Sequence, residues 1–453
     1  MKRSNLYAPL LILVVSFALH FIWFSRPPSV VFDEVHYGRF ALSYLRHEFV
    51  FDIHPPLGRL LLWAAAWFAN LDPHFSFAAI GMPFPDSSYL ALRLPPRLAG
   101  MLLPLVIYGV ALELGMSRWL ALTVGLLVAC DNALLVISRF ALVDVFILFF
   151  GFAALWAYLR ERRLNSWTWL FGAAVAAGLA LSVKWTGLAF LGIIGALQLI
   201  ELLSERSASN LGKLLLLGLV PAVIYVGTFA AEFALSNRSG RDDAFMSPAF
   251  QATLVDSRYA EQNNQSKLGF VGKFIELNSK MYSYAQQASD HPYRSKWYSW
   301  PFMTRGIFFW TKSGSTKEAD IYLLGNPVIW WVSAYAIIFL LVNFPPKIPA
   351  LIAGSQPPPV GRAELTILFG YLASMLSFVG IPRGMFLYHY LPALIFAILA
   401  VGLLLDRVEQ KRGLGLALLA ASACGFVYFA PLSYGLPMPK AALERMFWLE
   451  GWR

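Results

Sequence analysis

Two neighbouring stretches, VVFDEVHYGRF at residues 30–40 and FDIHPPLGRLLLW at residues 51–63, decide how the chain is interpreted. They bring five ionisable side chains together directly after the first apolar segment: Asp33, Glu34, His36, Asp52 and His54. The surrounding chain is apolar, because 58% of its 453 residues are hydrophobic and only 14% are charged. A soluble protein of this length needs far more polar surface. We therefore predict an integral membrane protein with an ionisable first outer loop.

Apolar segments long enough to cross a hydrocarbon core of about 30 Å recur along the sequence, and we count about eleven. The first, at 6–24, follows two basic residues and lacks a small-residue cleavage site, so we interpret it as a signal anchor. The others are at 89–112, 120–137, 140–159, 167–183, 185–203, 214–233, 327–344, 365–379, 387–405 and 414–431. The stretch Leu57–Phe68 is too short to cross and predicts an interfacial helix in the first outer loop. The predicted fold class is an all-α polytopic membrane protein.

The basic residues of the short connections predict the orientation of the spans. If successive spans alternate, these residues all fall on one side, which the positive-inside rule makes cytoplasmic. They are Lys2, Arg3, Arg118, Arg160, Arg162, Arg163, Arg206, Lys213, Lys347, Arg362, Arg407, Lys411 and Arg412. The N-terminus is then cytoplasmic. The predicted regions are 1–234, an N-terminal membrane region that includes the first outer loop (25–88); 235–326, a long extracytoplasmic loop; and 327–453, a C-terminal membrane region with an outer tail.

Composition and motifs argue against several function classes. The net charge of +10 comes from basic residues dispersed over loops, so no basic patch for nucleic acid is predicted. The two cysteines, Cys130 and Cys424, have apolar surroundings and form no metal or redox spacing. Neither GxGxxG nor GxxxxGK[ST] occurs, so nucleotide-driven chemistry is unsupported.

A metal site in the first outer loop is a weaker alternative. Asp33, Glu34, His36 and His54 are acceptable ligand types, but no HExxH and no separated Asp-x-Asp pair selects a metal. His54, which precedes two prolines, fits a hydrogen-bonded loop residue equally well. We expect no cofactor to be required and keep a divalent metal as an alternative.

The adjacent carboxylates of the first outer loop are predicted to have different roles. On a helix Asp33 would share a face with His36 and Tyr37, whereas Glu34 would point elsewhere. The alternative is a solvated loop whose charges face water.

Further polar groups lie near the same outer face at membrane depth, where charges are costly and usually functional. They are Asp131, Asn132 and Arg139 between the third and fourth spans, Asp144 in the fourth, Lys184 in LALSVKWTGLAF, and Arg383 and His389 in PRGMFLYHYLPA. Taken singly, each is better explained as an ion pair or a snorkelling side chain that ties helices together. Jointly, a cluster of Arg, Lys and His at an outer membrane boundary matches an anionic lipid headgroup, in particular a phosphate.

The aromatic and basic stretch HPYRSKWYSWPFM, residues 291–303, has two interpretations. It anchors the chain at the membrane interface, or it forms a wall for a sugar or acceptor, with Arg294 or Lys296 reaching polar groups. Asn237 and Asn264 stand in N-glycosylation triplets, which also arise by chance.

Six blocks carry a resemblance to a known family: FDEVHYGRFALSYL, DIHPPLGRLL, DNALLVISRFALVD, SVKWTGLAF, HPYRSKWYSWP and PRGMFLYHYLPA, in this order between residues 32 and 393. Over nearly the whole chain they resemble the protein O-mannosyltransferases, the dolichyl-phosphate-mannose:protein mannosyltransferases. The resemblance implies a GT-C type fold whose active site faces away from the cytosol around the first outer loop. About ninety residues in the long loop are too few for the MIR domains of eukaryotic members. The chain therefore resembles the shorter bacterial type, which implies the cell (inner) membrane.

The resemblance also implies roles for single residues. In the FDE motif, Asp33 would be the catalytic base and Glu34 its essential neighbour. The resemblance places four residues near the donor phosphate or in the scaffold that shapes its site: Arg139, Lys184, Arg383 and His389. We regard His36 and His54 as supporting residues of the first loop. The implied reaction is an inverting transfer of mannose from polyprenyl-phosphate-mannose to Ser or Thr hydroxyls of secreted or membrane proteins.

The residue types suit this chemistry. Outside the cytosol a sugar arrives on a polyprenyl phosphate, whose phosphate is already a good leaving group. One carboxylate that takes the hydroxyl proton, with cations at the departing phosphate, would suffice. Glycosidases differ, because their alcohol leaving group requires a second carboxyl as acid.

Two other functions stay open. A polyprenyl-phosphate-sugar glycosyltransferase that acts on a lipid or glycan would have the same fold class, and the carrier and sugar of either enzyme can differ from dolichol and mannose. A transporter or flippase is less favoured, because the charges gather at the outer edge and the sequence shows no repeated halves.

Overall fold

The computed structural model describes residues 6–205, 207–261, 266–288, 290–343 and 359–453. Its helices are α1 (Tyr7–Phe21), α2 (Glu34–Leu45), α3 (Leu57–Phe68), α4 (Leu90–Glu113), α5 (Arg118–Ala129), α6 (Asn132–Arg139), α7 (Asp144–Leu164), α8 (Trp167–Val183), α9 (Leu188–Glu205), α10 (Ala208–Leu235), α11 (Pro248–Gln251), α12 (Phe270–Ala285), α13 (Pro327–Asn343), α14 (Pro359–Leu376), α15 (Leu391–Leu405), α16 (Lys411–Tyr434) and α17 (Lys440–Glu444). The strands β1 (Ile307–Ser313), β2 (Lys317–Leu323) and β3 (Met438–Pro439) form one antiparallel sheet in that order. Outside the described residues lie Lys2, Arg3, Arg206, Asn264 and Lys347.

The predicted apolar segments are helical, and the mostly helical fold class is confirmed. Among the described residues, five helices are long and apolar enough to cross a membrane: Leu90–Glu113, Trp185–Ser204, Ala208–Leu235, Leu387–Leu405 and Lys411–Tyr434. The apolar helices α1, α8 and α13 and the 363–376 part of α14 are shorter. α7 begins at Asp144 and carries arginines in its last turn, so charges at both ends shorten its apolar stretch. The number of eleven crossings therefore stays a prediction.

The prediction of one continuous segment at 120–137 is wrong, because the structure has two helices there. α5 and α6 meet at an angle of 56° around Cys130 and Asp131. Asp131 caps α6, since its Oδ1 accepts a hydrogen bond from the Leu134 N–H at 3.0 Å. Its other oxygen accepts from the Asn326 N–H at 3.0 Å and from Trp330 Nε1 at 2.8 Å, both at the start of α13. A short acidic side chain favours a cap over a helix interior, which explains the break.

The first outer loop forms two helices that pack on the membrane bundle. α3 has the predicted bounds of the interfacial helix. Its Arg59 is buried and holds two carboxylates at 2.8 Å each, Asp52 in the same loop and Glu232 in α10. The far end of α3 exposes Trp67 and Phe68. This loop is thus a fixed part of the bundle rather than a solvated connection.

The long loop contains structure that the sequence did not predict. β1 and β2 form a hairpin, and β3, near the end of the chain, pairs with β2. The first residues of the hairpin are buried and its tip is exposed, as the burial of Ile307 and the exposure of Ser315 show. α12 packs against α10 through the ring pairs Phe274–Phe229 and Phe270–Phe233.

Candidate active site

Asp33 lies at the start of α2, and its carboxylate has no partner among the residues that the structure describes. It is the residue that precedes α2, and its side chain makes no capping hydrogen bond. Across the residues that the structure describes, no hydrogen bond or ion pair engages this carboxylate. Burial raises the pKa of Asp33 to about 6, and the nearby His36 and Lys184 side chains partly oppose this shift. A partly buried carboxylate with free oxygens and a pKa near neutrality can act as a general base.

Glu34, the next residue, is bound on all sides. Its carboxylate accepts hydrogen bonds from Arg93 Nε at 2.8 Å and Nη2 at 2.7 Å, a bidentate pair with α4. It also accepts from the N–H groups of Val31 at 2.9 Å and Ala141 at 3.0 Å. Both Glu34 and Arg93 are fully buried. Glu34 therefore joins the first outer loop to α4 and to the segment after α6.

A cavity of about 210 Å³ lies beside this loop and extends between the ends of several membrane helices. Its polar wall contains His54, Asp144, Lys184, Thr186, Gln286, Ser374, Ser377, Arg383, Tyr388 and His389. Its apolar wall includes Ile147 and Leu148 of α7, Phe378 and Leu391. The cavity is thus lined by both charged groups and apolar side chains. Such a cavity suits an amphiphilic ligand with an anionic head.

Two cations line the cavity in different states. Lys184, between α8 and α9, forms an ion pair of 2.8 Å with Asp144 at the start of α7. Arg383, in the turn before α15, has neither a hydrogen bond nor an ion pair with any other residue in the described ranges. Its guanidinium is therefore available to an anion, whereas Lys184 must share its charge with Asp144.

The three histidines predicted for the site differ in position. His54 and His389 line the cavity, whereas His36 is exposed on α2 beside Asp33. Burial, with Lys184 and Arg383 nearby, holds the pKa of His54 well below its usual value, so its imidazole is neutral. The His389 ring is held between Trp300 and Phe378, with centroid distances of 5.9 Å and 5.0 Å.

Arg139 does not line this cavity. It is fully buried, and its guanidinium donates to the carbonyls of Ser433, Trp23 and Arg26 at 2.5–3.3 Å. The Tyr434 ring lies 4.4 Å from it. Ser433 belongs to the last turn of α16, where unpaired carbonyls favour a cation. Arg139 therefore joins the end of α6 to α16 and to the segment after α1.

The aromatic stretch 291–303 contacts the turn that carries Arg383. The Ser295 N–H donates to the Met385 carbonyl at 2.8 Å, and His291 lies edge-on to Phe386 at 5.1 Å. Arg294 and Lys296 are exposed. The stretch therefore supports one rim of the cavity, and neither predicted role is decided by this contact.

Several important residues escaped the sequence analysis. Arg93, Arg59 and Glu232 hold the first loop through buried ion pairs. All three are charged residues inside or beside apolar segments, which is a signal of structural or functional importance in a membrane protein. In the described part of the chain, no group of three or more His, Cys, Asp or Glu side chains is arranged to hold a metal ion.

Comparison with solved structures shows the fold. The Saccharomyces cerevisiae protein O-mannosyltransferase Pmt1-Pmt2 complex bound to the sugar donor aligns with a TM-score of 0.89 at 21% identity, over 100% of this chain and 93% of that one. Archaeal oligosaccharyltransferase AglB from Archaeoglobus fulgidus, in complex with an inhibitory peptide and a dolichol-phosphate, gives 0.55 at 13% identity, over 99% and 58%. ArnT from Cupriavidus metallidurans bound to undecaprenyl phosphate gives 0.51 at 15%, over 93% and 64%. The GT-C type fold is therefore confirmed.

Comparison with protein sequences shows the family. Protein O-mannosyltransferase 1 of Drosophila pseudoobscura pseudoobscura is 37% identical over 53% of this chain, and the chain spans only 28% of that relative. Dolichyl-phosphate-mannose--protein mannosyltransferase 1 of Saccharomyces cerevisiae is 22% identical over 100% of the chain and 83% of the relative. Residues 270–452 match the C-terminal four TMM region of protein-O-mannosyltransferase. Residues 10–237, just over half of the chain, match the model of dolichyl-phosphate-mannose-protein mannosyltransferase, and the chain belongs to this family.

Proposed function

We propose that this protein transfers mannose from a polyprenyl-phosphate-mannose donor to Ser or Thr hydroxyls of proteins, with inversion at the sugar. The observation that carries the proposal concerns Asp33, whose carboxylate has no partner among the described residues. It lies near Lys184, which lines a cavity together with Arg383. Family membership supports this activity. The donor-bound state of the Pmt1-Pmt2 complex and the lipid phosphates bound to AglB and ArnT support a lipid-phosphate donor.

The reaction is a single displacement. Asp33 takes the proton of the acceptor hydroxyl while the hydroxyl oxygen forms a bond to the anomeric carbon of the sugar. The bond between this carbon and the phosphate oxygen breaks, and the phosphate leaves with the electron pair. Arg383 and Lys184 stabilise the negative charge that develops on the phosphate. The neutral His54 and the fixed His389 line the same wall and orient the phosphate or the sugar. No second carboxyl is needed as an acid.

The cavity also supports a polyprenyl carrier. The charged residues of the cavity wall would hold the phosphate and sugar, and Ile147 and Leu148 would contact the first isoprene units. The experiment below compares a dolichyl donor with another polyprenyl donor and measures transfer to a peptide acceptor.

The same proposal includes an orientation. We place the N-terminus on the cytoplasmic side of the cell membrane, with the first outer loop (25–88) and the long loop (235–326) on the other side. The basic residues of the short connections support this orientation.

The test is transfer from synthetic polyprenyl-phosphate-mannose and dolichyl-phosphate-mannose to a Ser/Thr-rich peptide by purified protein in detergent. Asp33→Asn removes the base and is expected to abolish transfer. Asp86→Asn, a change at an exposed aspartate of the same loop, is the matched control and keeps the activity of the parent. A chelator arm tests for a divalent metal. If the protein transfers sugar to a lipid or glycan acceptor and not to the peptide, the alternative glycosyltransferase function replaces the proposed one.

A further inference from the structure

The backbone enters the active site through a residue in an unfavourable conformation. Phe32, which immediately precedes Asp33, has a φ of 45°. This left-handed region is rare for a bulky side chain, and such a residue persists only where its surroundings hold it. Whatever holds Phe32 therefore influences where the Asp33 carboxylate lies.

A bulge in β1 holds Phe32. The register of the β1–β2 pair shifts between Phe308 and Trp310, so Phe309 has no partner in β2. The bulge frees the Phe309 carbonyl, which accepts a hydrogen bond from the Phe32 N–H at 3.1 Å. The two rings stack with centroids 4.1 Å apart and an angle of 8° between their planes. Phe309 is fully buried, and its carbonyl holds the Phe32 N–H while its ring holds the Phe32 ring.

A second contact fixes the same segment from the same strand. The residue after the bulge, Trp310, donates from Nε1 to Ser29 Oγ at 2.9 Å. Two successive residues of β1 thus hold the chain three residues apart, at Ser29 and Phe32. This spacing restrains the direction in which the chain reaches Asp33.

The C-terminal tail (438–452) holds the hairpin in place. β3 pairs with β2. The ring of Phe447 lies edge-on to Tyr322 of β2 at 4.9 Å. Trp452 is fully buried and donates from Nε1 to the Met303 carbonyl, just before β1. The strand that carries the bulge is therefore braced by the last residues of the chain.

We propose that Phe309 is a positioning residue for Asp33, and that the hairpin with the C-terminal tail is the support that carries it. This inference rests on the function proposed above. Phe309 is not among the residues that line the cavity. It acts through Phe32 on the position of the catalytic carboxylate and leaves donor binding unchanged.

The test compares Phe309→Ala with Phe308→Ala in mannose transfer by the full-length protein. Both changes remove a phenylalanine ring from β1, but the Phe308 ring lies on Tyr293 and Tyr322. We expect kcat of Phe309→Ala to fall by about ten- to a hundredfold, the effect that small displacements of catalytic groups produce. Its KM for the donor stays near that of the parent. Phe308→Ala keeps the kcat of the parent.

A pH profile separates positioning from a general loss of structure. The titratable and charged groups that face Asp33 are His36, Tyr37, Asp52, Asp144, Lys184 and Tyr388. All of them stay in place in Phe309→Ala, whereas water gains access to Asp33. The acid limb of the kcat/KM profile therefore moves to lower pH. A protein that is merely less stable keeps this limb at the pH of the parent.

Two outcomes overturn the inference while the parent is active. One is an unchanged kcat in a folded Phe309→Ala, and the other is a fall in kcat without movement of the acid limb. If Phe309→Ala does not fold, Phe309→Leu keeps a buried apolar side chain, loses the stacking and takes its place. An inactive parent would instead overturn the proposed function, so the two failures are distinguishable.

Discussion

A carboxylate that serves as a base must be ionised at the working pH and must have an oxygen that is not already bound. Glu34 accepts four hydrogen bonds, two of them from Arg93, and has no oxygen to offer. The Asp33 carboxylate has no such bond within the described ranges. The neighbours differ in what they meet: Glu34 pairs with Arg93 of α4, whereas Asp33 lies near Lys184 and Asp144, two residues that line the cavity.

The first prediction concerns pH. Asp33 must lose its proton before it can accept another, so kcat/KM is expected to rise with pH through an apparent pKa of about 6 and to fall below it. His36→Asn is the control, because the nearby His36 side chain lowers the pKa of Asp33. The acid limb should persist in this variant and move to higher pH. Loss of the limb in His36→Asn would assign the titration to His36.

The second prediction concerns the buried pair of Glu34 and Arg93. Glu34→Gln leaves the Arg93 charge buried without a counter-charge, and breaking such a pair costs about 3–5 kcal/mol. We expect a correspondingly lower free energy of unfolding in a denaturant titration of the detergent-solubilised protein. Asp256→Asn breaks the exposed pair with Arg238 and should cost less than about 1 kcal/mol. Equal losses in the two variants would contradict the structural role of Glu34.

The third prediction distinguishes the two cavity cations. Arg383→Ala removes a guanidinium that has no other partner in the described part of the protein, so stability should be unchanged. Its kcat/KM for the donor should fall about ten- to a hundredfold, the range for a lost charge-assisted hydrogen bond. Lys184→Ala should lower both activity and thermal stability, because it leaves Asp144 unpaired. If Arg383→Ala has the kcat/KM of the parent, this residue does not bind the phosphate.

At the scale of elements, the break between α5 and α6 connects these helices to α13. With one carboxylate, Asp131 accepts from the Leu134 N–H at the start of α6 and from two donors at the start of α13. α6 starts at this break, and Arg139 at its other end donates to the Ser433 carbonyl of α16. A single acidic residue links three helices.

The fourth prediction tests this join. Asp131→Ala removes the cap and leaves the Asn326 N–H and Trp330 Nε1 buried without an acceptor. We expect a loss of about 3 kcal/mol or more in the free energy of unfolding. Ser207→Ala removes only the cap of α10 and should cost about 1 kcal/mol. Similar losses would show that the contacts with α13 contribute nothing.

At the scale of the whole molecule, the first loop, the long loop and the C-terminal tail meet on one side of the bundle. The first loop meets the β1–β2 hairpin beside Asp33, where the Phe32 N–H donates to the Phe309 carbonyl, and it reaches the cavity through Ile53 and His54. The opposite end of the bundle holds ion pairs such as Glu113 with Arg160 and Arg163, at 2.9 Å and 2.7 Å. The asymmetry places all the proposed chemistry on one face.

The fifth prediction is the orientation of this face. In a Cys424→Ser background, Ser315→Cys at the hairpin tip should react with a membrane-impermeant maleimide in intact cells. Leu164→Cys, at the exposed end of α7 next to Arg162 and Arg163, should react only after permeabilisation. The reverse pattern would invert the proposed topology.

The sequence by itself determined the features that depend on local composition. Length and hydropathy located the helical segments, and the bounds of α3 agree with the prediction because a helical apolar stretch between prolines and polar residues is a local signal. The six ordered blocks determined the family. They also marked Asp33 as a candidate through the FDE motif. Lys184 and Arg383 were candidates because charges at membrane depth are costly and therefore informative.

Only the tertiary structure decided which of these residues meet. Lys184 and Arg383 line one cavity, and Glu34 pairs with Arg93. Arg139 instead donates to a carbonyl at the end of α16. The tertiary structure also forms the bulge at Phe309, which no periodicity predicts. The physical reason is that hydropathy and helix propensity act within a few residues. The partner of a charge is decided by how helices far apart in the chain pack and by which buried groups can satisfy one another.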